Sequence, residues 1–127
     1  MSTQSLMILI AGPYRSGTGD DPERIANNLR TLESVALPLF RAGHLPLIGE
    51  WIAVPLLREA GSKRPGDAMY DEILYPIAHR LLSRCDAVLR LPGASKGADE
   101  DVRLARESGL LVFHCIADVP GCVQKEE

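Results

Sequence analysis

Four short apolar runs divide the chain, and each is bounded by glycine, proline or polar residues. Apolar runs of this length without strict alternation are typical of buried strands in a parallel sheet. They predict four strands, within SLMILIAG, HLPLIG, DAVLRL and LLVFHCI. The proline in the second run removes a backbone donor, which favours an edge position for that strand.

The segments between these runs have helical periodicity. Asp21 and Pro22 are typical of a helix start, and apolar residues then recur at steps of three and four up to Leu39. This spacing predicts one helix that ends at Gly43. Further helices are predicted within EWIAVPLLREA, AMYDEILYPIAHRLLSRC and ADEDVRLARESG, with a kink or restart at Pro55. Residues 1–127 are predicted to form a single domain with a loosely ordered tail, 118–127.

This order of elements predicts the architecture. Strands that alternate with helices indicate crossover connections, and hence an α/β three-layer sandwich with a mostly parallel sheet of four to five strands. An edge position for the second strand favours the order 2-1-3-4. In that order, the chain builds the sheet outward in one direction from the first strand to the second and in the other direction from the third strand on. Ligands of such sheets bind beyond the carboxyl ends of the first and third strands, where the direction reverses. The loops AGPYRSG and LPGASKGADED leave those two strands.

Composition narrows the classes of function. The chain has 127 residues with a formal net charge of −3 and no basic stripe, which argues against a nucleic-acid polymer as partner. Its three cysteines are odd in number and lack metal-site spacing, so we expect reduced thiols, no metal site and a cytoplasmic protein. The first apolar run is too short for a signal peptide or a membrane span.

Three consecutive acids, Asp99, Glu100 and Asp101, lie near the start of the last predicted helix. At about 100° per residue, the small and apolar residues of that helix share one side, which must pack on the sheet. Asp101 lies about 60° from the centre of that side, whereas Glu100 falls nearly opposite, toward solvent. Asp101 is therefore the acid best placed to face a cleft. The alternative is that all three acids only favour the positive helix end.

The chain resembles the nucleoside 2-deoxyribosyltransferase superfamily, and in particular its small bacterial members. The resemblance covers nearly the whole chain and depends on AGPYRSG, GHLPLIGEW and CDAVLRLPGASKGADEDVRLARESG. The last block has the family's pattern of strand-entry acid, loop glycine, helix acid and small residue, here Asp86, Gly97, Asp101 and Ala105. The resemblance implies a flavodoxin-like or deoxyribosyltransferase-like fold and a carboxylate nucleophile, usually Glu and here Asp101. It implies no cofactor, and a homodimer or higher homo-oligomer.

The resemblance also suggests residues that bind substrate. Gly12, Tyr14, Arg15 and Ser16 would shape the sugar and phosphate site, with Ser95 and Gly97 opposite them. Many family members carry an Asp where this chain has Ala78, and Asp71 is a candidate substitute. Glu50 lies at the rim and is a candidate for polar support of a ligand. The other two candidates have structural alternatives: Trp51 as a stacking surface or a helix anchor, and Asp86 as a ligand contact or, as we favour, a backbone cap.

Three functions remain open at this stage. The first is an enzyme, a deoxyribosyltransferase or nucleotide N-glycosidase, that cleaves or transfers the N-glycosidic bond of a nucleoside or nucleoside 5′-monophosphate through Asp101. The second is a nucleotide-binding module of the same fold without turnover. The third, a structural or partner-binding domain, is disfavoured by the polar loops at the point where the winding reverses.

Overall fold

Strands and helices alternate along residues 4–122, the part of the chain that the computed structural model describes. The strands are β1 (Met7–Ala11), β2 (Leu45–Leu47), β3 (Ala87–Arg90) and β4 (Leu111–Phe113). The helices are α1 (Pro22–Glu33), α2 (Ala36–Arg41), α3 (Gly49–Glu59), α4 (Ala68–Leu82) and α5 (Lys96–Glu107), and a 3-10 turn spans Ile116–Asp118.

The four strands form one parallel sheet with the order β2-β1-β3-β4. This is the predicted order, and it is the winding of flavodoxin-like sheets. β2 lies at an edge of the described sheet. Pro46 has no backbone N–H, and at an edge a strand can lack one donor without breaking a hydrogen bond to a second neighbouring strand. Ala11 at the end of β1 pairs with Arg90 at the end of β3. The loops that leave these strands therefore begin side by side.

Helices cover both faces of the sheet, which confirms the three layers. Alternate residues of β1 enter different cores: Ile8 and Ile10 face one, and Leu9 and Ala11 face the other. The first core also takes side chains from α1 and α2, and the second takes them from α4 and α5. α3 packs mainly against α4. The loops at the carboxyl ends of the strands therefore run between two helical layers.

The helix predicted from Pro22 to Gly43 is two helices. α1 ends at Glu33, and α2 begins at Ala36. Pro38 explains the break, because it has no N–H to donate to the Ser34 carbonyl and its ring would clash with that carbonyl in a continuous helix. The predicted start at Asp21 is confirmed, since its side chain accepts a hydrogen bond from the Glu23 N–H.

Proline does not interrupt α3. The helix continues through Pro55 from Gly49 to Glu59, rather than restarting as one of the two predicted outcomes would require. Ala53 and Leu57 are buried on either side of the proline, so packing stabilises the helix although one backbone hydrogen bond is lost. Within residues 4–122, none of the helices has the length and apolar character needed to cross a membrane.

The described part of the predicted tail is packed against the domain. Val119 is 1% exposed and belongs to the first core. The buried His44 ring links this segment to the sheet, because its Nδ1 accepts from the Leu6 N–H at 3.1 Å and its Nε2 lies 2.6 Å from the Pro120 carbonyl oxygen. Val119 and Pro120 are therefore held against the domain, and residues 123–127 of the predicted tail lie outside the described part of the chain.

Candidate functional site

A cavity opens where the carboxyl ends of β1 and β3 meet two helical layers. Its volume is about 100 Å³, and it is partly open to solvent. Its walls come from the loop after β1, the first turn of α3, the middle of α4 and the beginning of α5. This is the position that the strand order predicts for a ligand.

Most of the residues predicted to bind substrate line this cavity. They come from three separate parts of the sequence: Gly12, Tyr14, Arg15, Ser16, Glu50, Ser95, Gly97 and Asp101. The two loops and the carboxylate that the functional hypothesis requires are thus in one place. Their contact with a substrate stays a prediction.

Asp101 lies on the inward flank of α5, as the helical geometry predicts. Its side chain is 8% exposed, and Ala98, Val102 and Ala105 on the same helix are buried. Burial raises the pKa of Asp101 to about 7, helped by the negative charges of Glu50 and Glu100 and opposed by Arg90. A carboxyl group with this pKa changes protonation state near neutral pH.

The two acids beside Asp101 have different surroundings. Asp99 is exposed and accepts from Arg90 Nη2 at 2.8 Å. Glu100 forms a salt bridge with Arg103, three residues along the helix surface, and this contact lowers the pKa of Glu100. Asp99 and Glu100 therefore each have an arginine partner, and neither lines the cavity.

Glu50 brings a second carboxyl group into the cavity from the first turn of α3. Burial raises the pKa of Glu50, and a hydrogen bond from its own backbone N–H lowers it in part. β1 lies between β2, which precedes α3, and β3, which precedes α5. Glu50 and Asp101 therefore enter the cavity from opposite sides of β1.

The loop after β1 is fixed by its own hydrogen bonds. The Asn28 side chain donates from α1 to the Tyr14 carbonyl oxygen at 2.8 Å, and Arg15 Nε donates to Asp20 Oδ1 at 2.6 Å. Asp20 adopts a left-handed φ of 61°, which Asp tolerates better than most residues. The Arg15 guanidinium is thereby held at the mouth of the cavity.

Tyr14 contributes a neutral hydroxyl to the cavity. Burial raises the pKa of Tyr14, and the nearby Tyr70 and Glu50 raise it further. The Tyr14 and Tyr70 hydroxyls are hydrogen-bonded to one another. The Tyr14 hydroxyl therefore stays protonated at physiological pH.

Ser95 and Gly97 form the start of α5. The Ser95 hydroxyl caps the helix by accepting from the Ala98 N–H at 3.1 Å, so the helix begins earlier than the sequence pattern predicts. A Cβ at Gly97 would lie 3.4 Å from Cε1 of Tyr75. The absence of a side chain there lets the Tyr75 ring pack against the beginning of the helix.

Comparisons of the chain with protein-family models, with curated proteins and with solved structures found no significant match. The cavity combines two carboxyl groups, from Glu50 and Asp101, with the half-buried Tyr14 phenol and the Arg15 guanidinium at its mouth. Among residues 4–122, no three His, Cys, Asp or Glu side chains cluster as a metal site would require.

Three residues predicted to bind substrate do not line the cavity. The Trp51 indole donates to Glu33 Oε2 at 2.7 Å, which links α3 to α1, and Asp71 is exposed on α4. Asp86 precedes β3, at the amino ends of the strands and opposite the cavity. Its carboxylate accepts from the Met7 N–H at 2.8 Å. This contact is a backbone cap, the role that the sequence analysis favours for Asp86, and binding of substrate by Asp86 stays a prediction.

Apart from the position of Ala78, the wall that α4 contributes was not predicted from the sequence. Leu74, Tyr75 and Ala78 line the cavity from this helix, and Gly49 lines it beside Glu50. Leu74 and Ala78 are four residues apart and share a helix face, so the periodicity contained the signal. Choosing between the faces of α4 required knowledge of how α3 and α5 pack around it.

Proposed function

We propose that the protein cleaves the N-glycosidic bond of a nucleoside or nucleoside 5′-monophosphate, either by hydrolysis or by transfer of the sugar to another base. The main support is the position of Asp101, a buried carboxyl group at the wall of the cavity at the carboxyl ends of β1 and β3. The resemblance of the segment containing Asp101 to nucleoside 2-deoxyribosyltransferases gives the same assignment.

The chemistry needs a carboxylate close to the sugar. As the bond from the anomeric carbon to the base breaks, positive charge develops on the sugar, and an anion stabilises it or bonds to it. Asp101 is only 8% exposed, and this burial strengthens that attraction. In hydrolysis, the carboxylate oxygen of Asp101 bonds to the anomeric carbon, the base leaves with the electron pair, and water then replaces Asp101.

A 5′-phosphate would bind at the mouth. Arg15, Ser16 and Ser95 line both the cavity and an adjoining open depression, which also includes Lys96. Arginine, lysine and hydroxyl groups are common partners of phosphate. With the phosphate there, the sugar and base extend inward toward Asp101 and the Tyr14 ring.

The experiment is incubation with deoxynucleosides and their monophosphates, followed by chromatography for free base. We expect base release by the wild type, loss of release in Asp101→Asn, and retention in the matched control Asp118→Asn, which alters an exposed acid outside the cavity. Base release that persists in Asp101→Asn would contradict the role of Asp101.

The second candidate is a nucleotide-binding module without turnover. It is favoured by two features of the sequence: Asp101 is one methylene shorter than the usual Glu, and Ala78 lines the cavity where many members of the resembled family carry Asp. Thermal stabilisation by nucleotides without release of base would support this candidate. No stabilisation by any nucleotide would leave a partner-binding domain.

We further propose that the protein forms a homodimer through α3. Trp51, Ile52 and Leu56 of this helix are each at least 40% exposed, which is unusual for large apolar side chains on one short helix. Light scattering after size exclusion should give twice the chain mass, and Leu56→Glu should give the monomer. A monomeric wild type would refute the proposal.

A further inference from the structure

The loop between α3 and α4, residues 61–67, is closed by the side chain of Asp67. The Asp67 carboxylate accepts from the Ser62 hydroxyl at 2.9 Å and from the Lys63 N–H at 2.9 Å. The Ser62 N–H in turn donates to the Leu57 carbonyl oxygen of α3 at 2.9 Å. Because Asp67 lies directly before α4, these hydrogen bonds tie the loop to both helices.

Gly66, the residue before Asp67, lies against the guanidinium group of Arg15. Its φ of 83° is in the left-handed region, which glycine adopts without steric cost. A Cβ built on Gly66 would overlap Nη2 of Arg15 and would lie 2.6 Å from its Cζ and 3.1 Å from its Nε. Non-bonded carbon atoms normally stay about 3.5–4.0 Å apart. The guanidinium therefore occupies the space that a side chain at position 66 would need.

Arg15 is thus fixed by two parts of the chain. Its Nε donates to Asp20 Oδ1 at 2.6 Å, and Gly66 lies against the end of the side chain. Arg15 also lines the cavity and the depression at its mouth, together with Ser16 and Ser95. Gly66 lines neither of these two spaces, so it acts on a ligand there through Arg15.

We propose that Gly66 is a positioning residue for Arg15 and thereby determines how strongly the protein prefers nucleoside 5′-monophosphates to nucleosides. The missing side chain leaves the guanidinium at the mouth, beside the hydroxyl groups that would share the phosphate. Hydrogen bonds from guanidinium to phosphate are directional, so a displaced Arg15 binds phosphate less well. This inference rests on the proposed function and adds a residue outside the cavity that sets the preference between its two substrate classes.

Gly66→Ala should displace Arg15 and leave the rest of the fold intact, because the new methyl group meets only the end of a flexible side chain. Alanine is strained at a positive φ, and this strain needs a control. The matched control is Gly61→Ala, in the same loop. Gly61 has the same φ of 83°, and a Cβ there would meet no described atom within 4 Å. The two variants therefore differ in the contact with Arg15.

The measurement is kcat/KM for release of base from a deoxynucleoside 5′-monophosphate and from the same deoxynucleoside. Wild type is expected to prefer the monophosphate. Gly66→Ala should lower this preference by about 10- to 100-fold, the effect of one hydrogen bond to a charged group. The value for the nucleoside should stay unchanged, and Gly61→Ala should keep the preference of the wild type. Circular dichroism checks that each variant is folded.

A double-mutant cycle tests whether Gly66 acts through Arg15. Arg15→Ala alone should lower the preference at least as much as Gly66→Ala does. In the double variant there is no guanidinium for the methyl group to displace, so Gly66→Ala should add no further loss. Losses that multiply in the double variant would contradict action through Arg15.

Other results would also overturn the inference. An unchanged preference in Gly66→Ala would remove the positioning role, and an equal loss in Gly61→Ala would assign the effect to the loop backbone. Equal release of base from both substrates by the wild type would overturn the inference and leave the proposed function intact.

A wild type that releases base from neither substrate would remove the proposed function, and thermal stabilisation then tests Gly66 separately. Stabilisation by the monophosphate that exceeds stabilisation by the nucleoside, lost in Gly66→Ala and kept in Gly61→Ala, would support the positioning of Arg15. The same stabilisation in all three proteins, or none, would overturn it.

Discussion

Replacing Asp101 with asparagine is expected to stabilise the folded protein at neutral and alkaline pH. Asp101 is buried and forms no salt bridge among the described residues. Its folded-state pKa is raised from 3.8 to about 7, first by burial and then by the charges of Glu50 and Glu100. Asparagine keeps the size of the side chain and removes its charge, so the cost of ionisation disappears.

The magnitude follows from the two pKa values. A tenfold change in a dissociation constant corresponds to about 1.4 kcal/mol, so a rise from 3.8 to about 7 corresponds to about 4 kcal/mol. Because the folded state holds the proton more tightly, this stabilisation is complete below about pH 4 and is lost as the pH rises to about 7. The cavity is partly open to solvent, which screens the charge, so we expect the advantage of Asp101→Asn to reach about 2 kcal/mol at pH 8 and to be small at pH 4.

Urea denaturation followed by circular dichroism, at several pH values between 4 and 8, measures this difference directly. The control is Asp71→Asn, because Asp71 is an exposed acid on α4. The difference in unfolding free energy between Asp71→Asn and the wild type should stay constant across the pH range. A difference between Asp101→Asn and wild type that does not grow with pH would refute a buried, protonatable Asp101.

Two further substitutions and one chemical modification test other contacts of the structure. Gly12→Ala should cost about 1–3 kcal/mol of unfolding free energy, since the new Cβ would lie 2.9 Å from Cδ2 of the buried Leu32; an unchanged urea midpoint would contradict this packing. Asp86→Ala should cost about 1 kcal/mol without changing base release, because it removes the acceptor of the Met7 N–H; lost release at unchanged stability would return Asp86 to the substrate site. Burial raises the pKa of Cys85 to about 11, so iodoacetamide at pH 8 should modify it only after unfolding, which peptide mass spectrometry can follow; rapid modification of the folded protein would contradict its burial.

The sheet could be predicted because its signals are local. Each strand is a short apolar run, and one proline was enough to place β2 at an edge. The break between α1 and α2 was also visible in the sequence, at Pro38, but the regular spacing of apolar residues through it suggested one helix. The burial of Val119 was not visible, because it depends on the distant His44 and the face of the sheet nearby.

The parts of the site that could be predicted are those whose position follows from a single helix or from the order of the strands. The position of Asp101 follows from the periodicity of α5, and the place of the loop after β1 follows from the strand order. The wall from α4 and the burial of Glu50 depend on how three helices pack together, which no local pattern specifies. Asp86 lies before β3, at the amino end of that strand, and accepts from the Met7 N–H, as the favoured interpretation of a backbone cap predicts.

The strongest reason to treat Asp101 as functional is that the fold does not need its charge. The other acids of this helix stabilise it from outside: Asp99 pairs with Arg90, and Glu100 and Glu107 pair with Arg103. Asp101 has no such partner among the described residues, and its burial makes ionisation unfavourable. An apolar or amide side chain would fill the same space at lower free energy. A costly carboxyl group facing a cavity, opposite a second one, is the arrangement that acid–base chemistry requires.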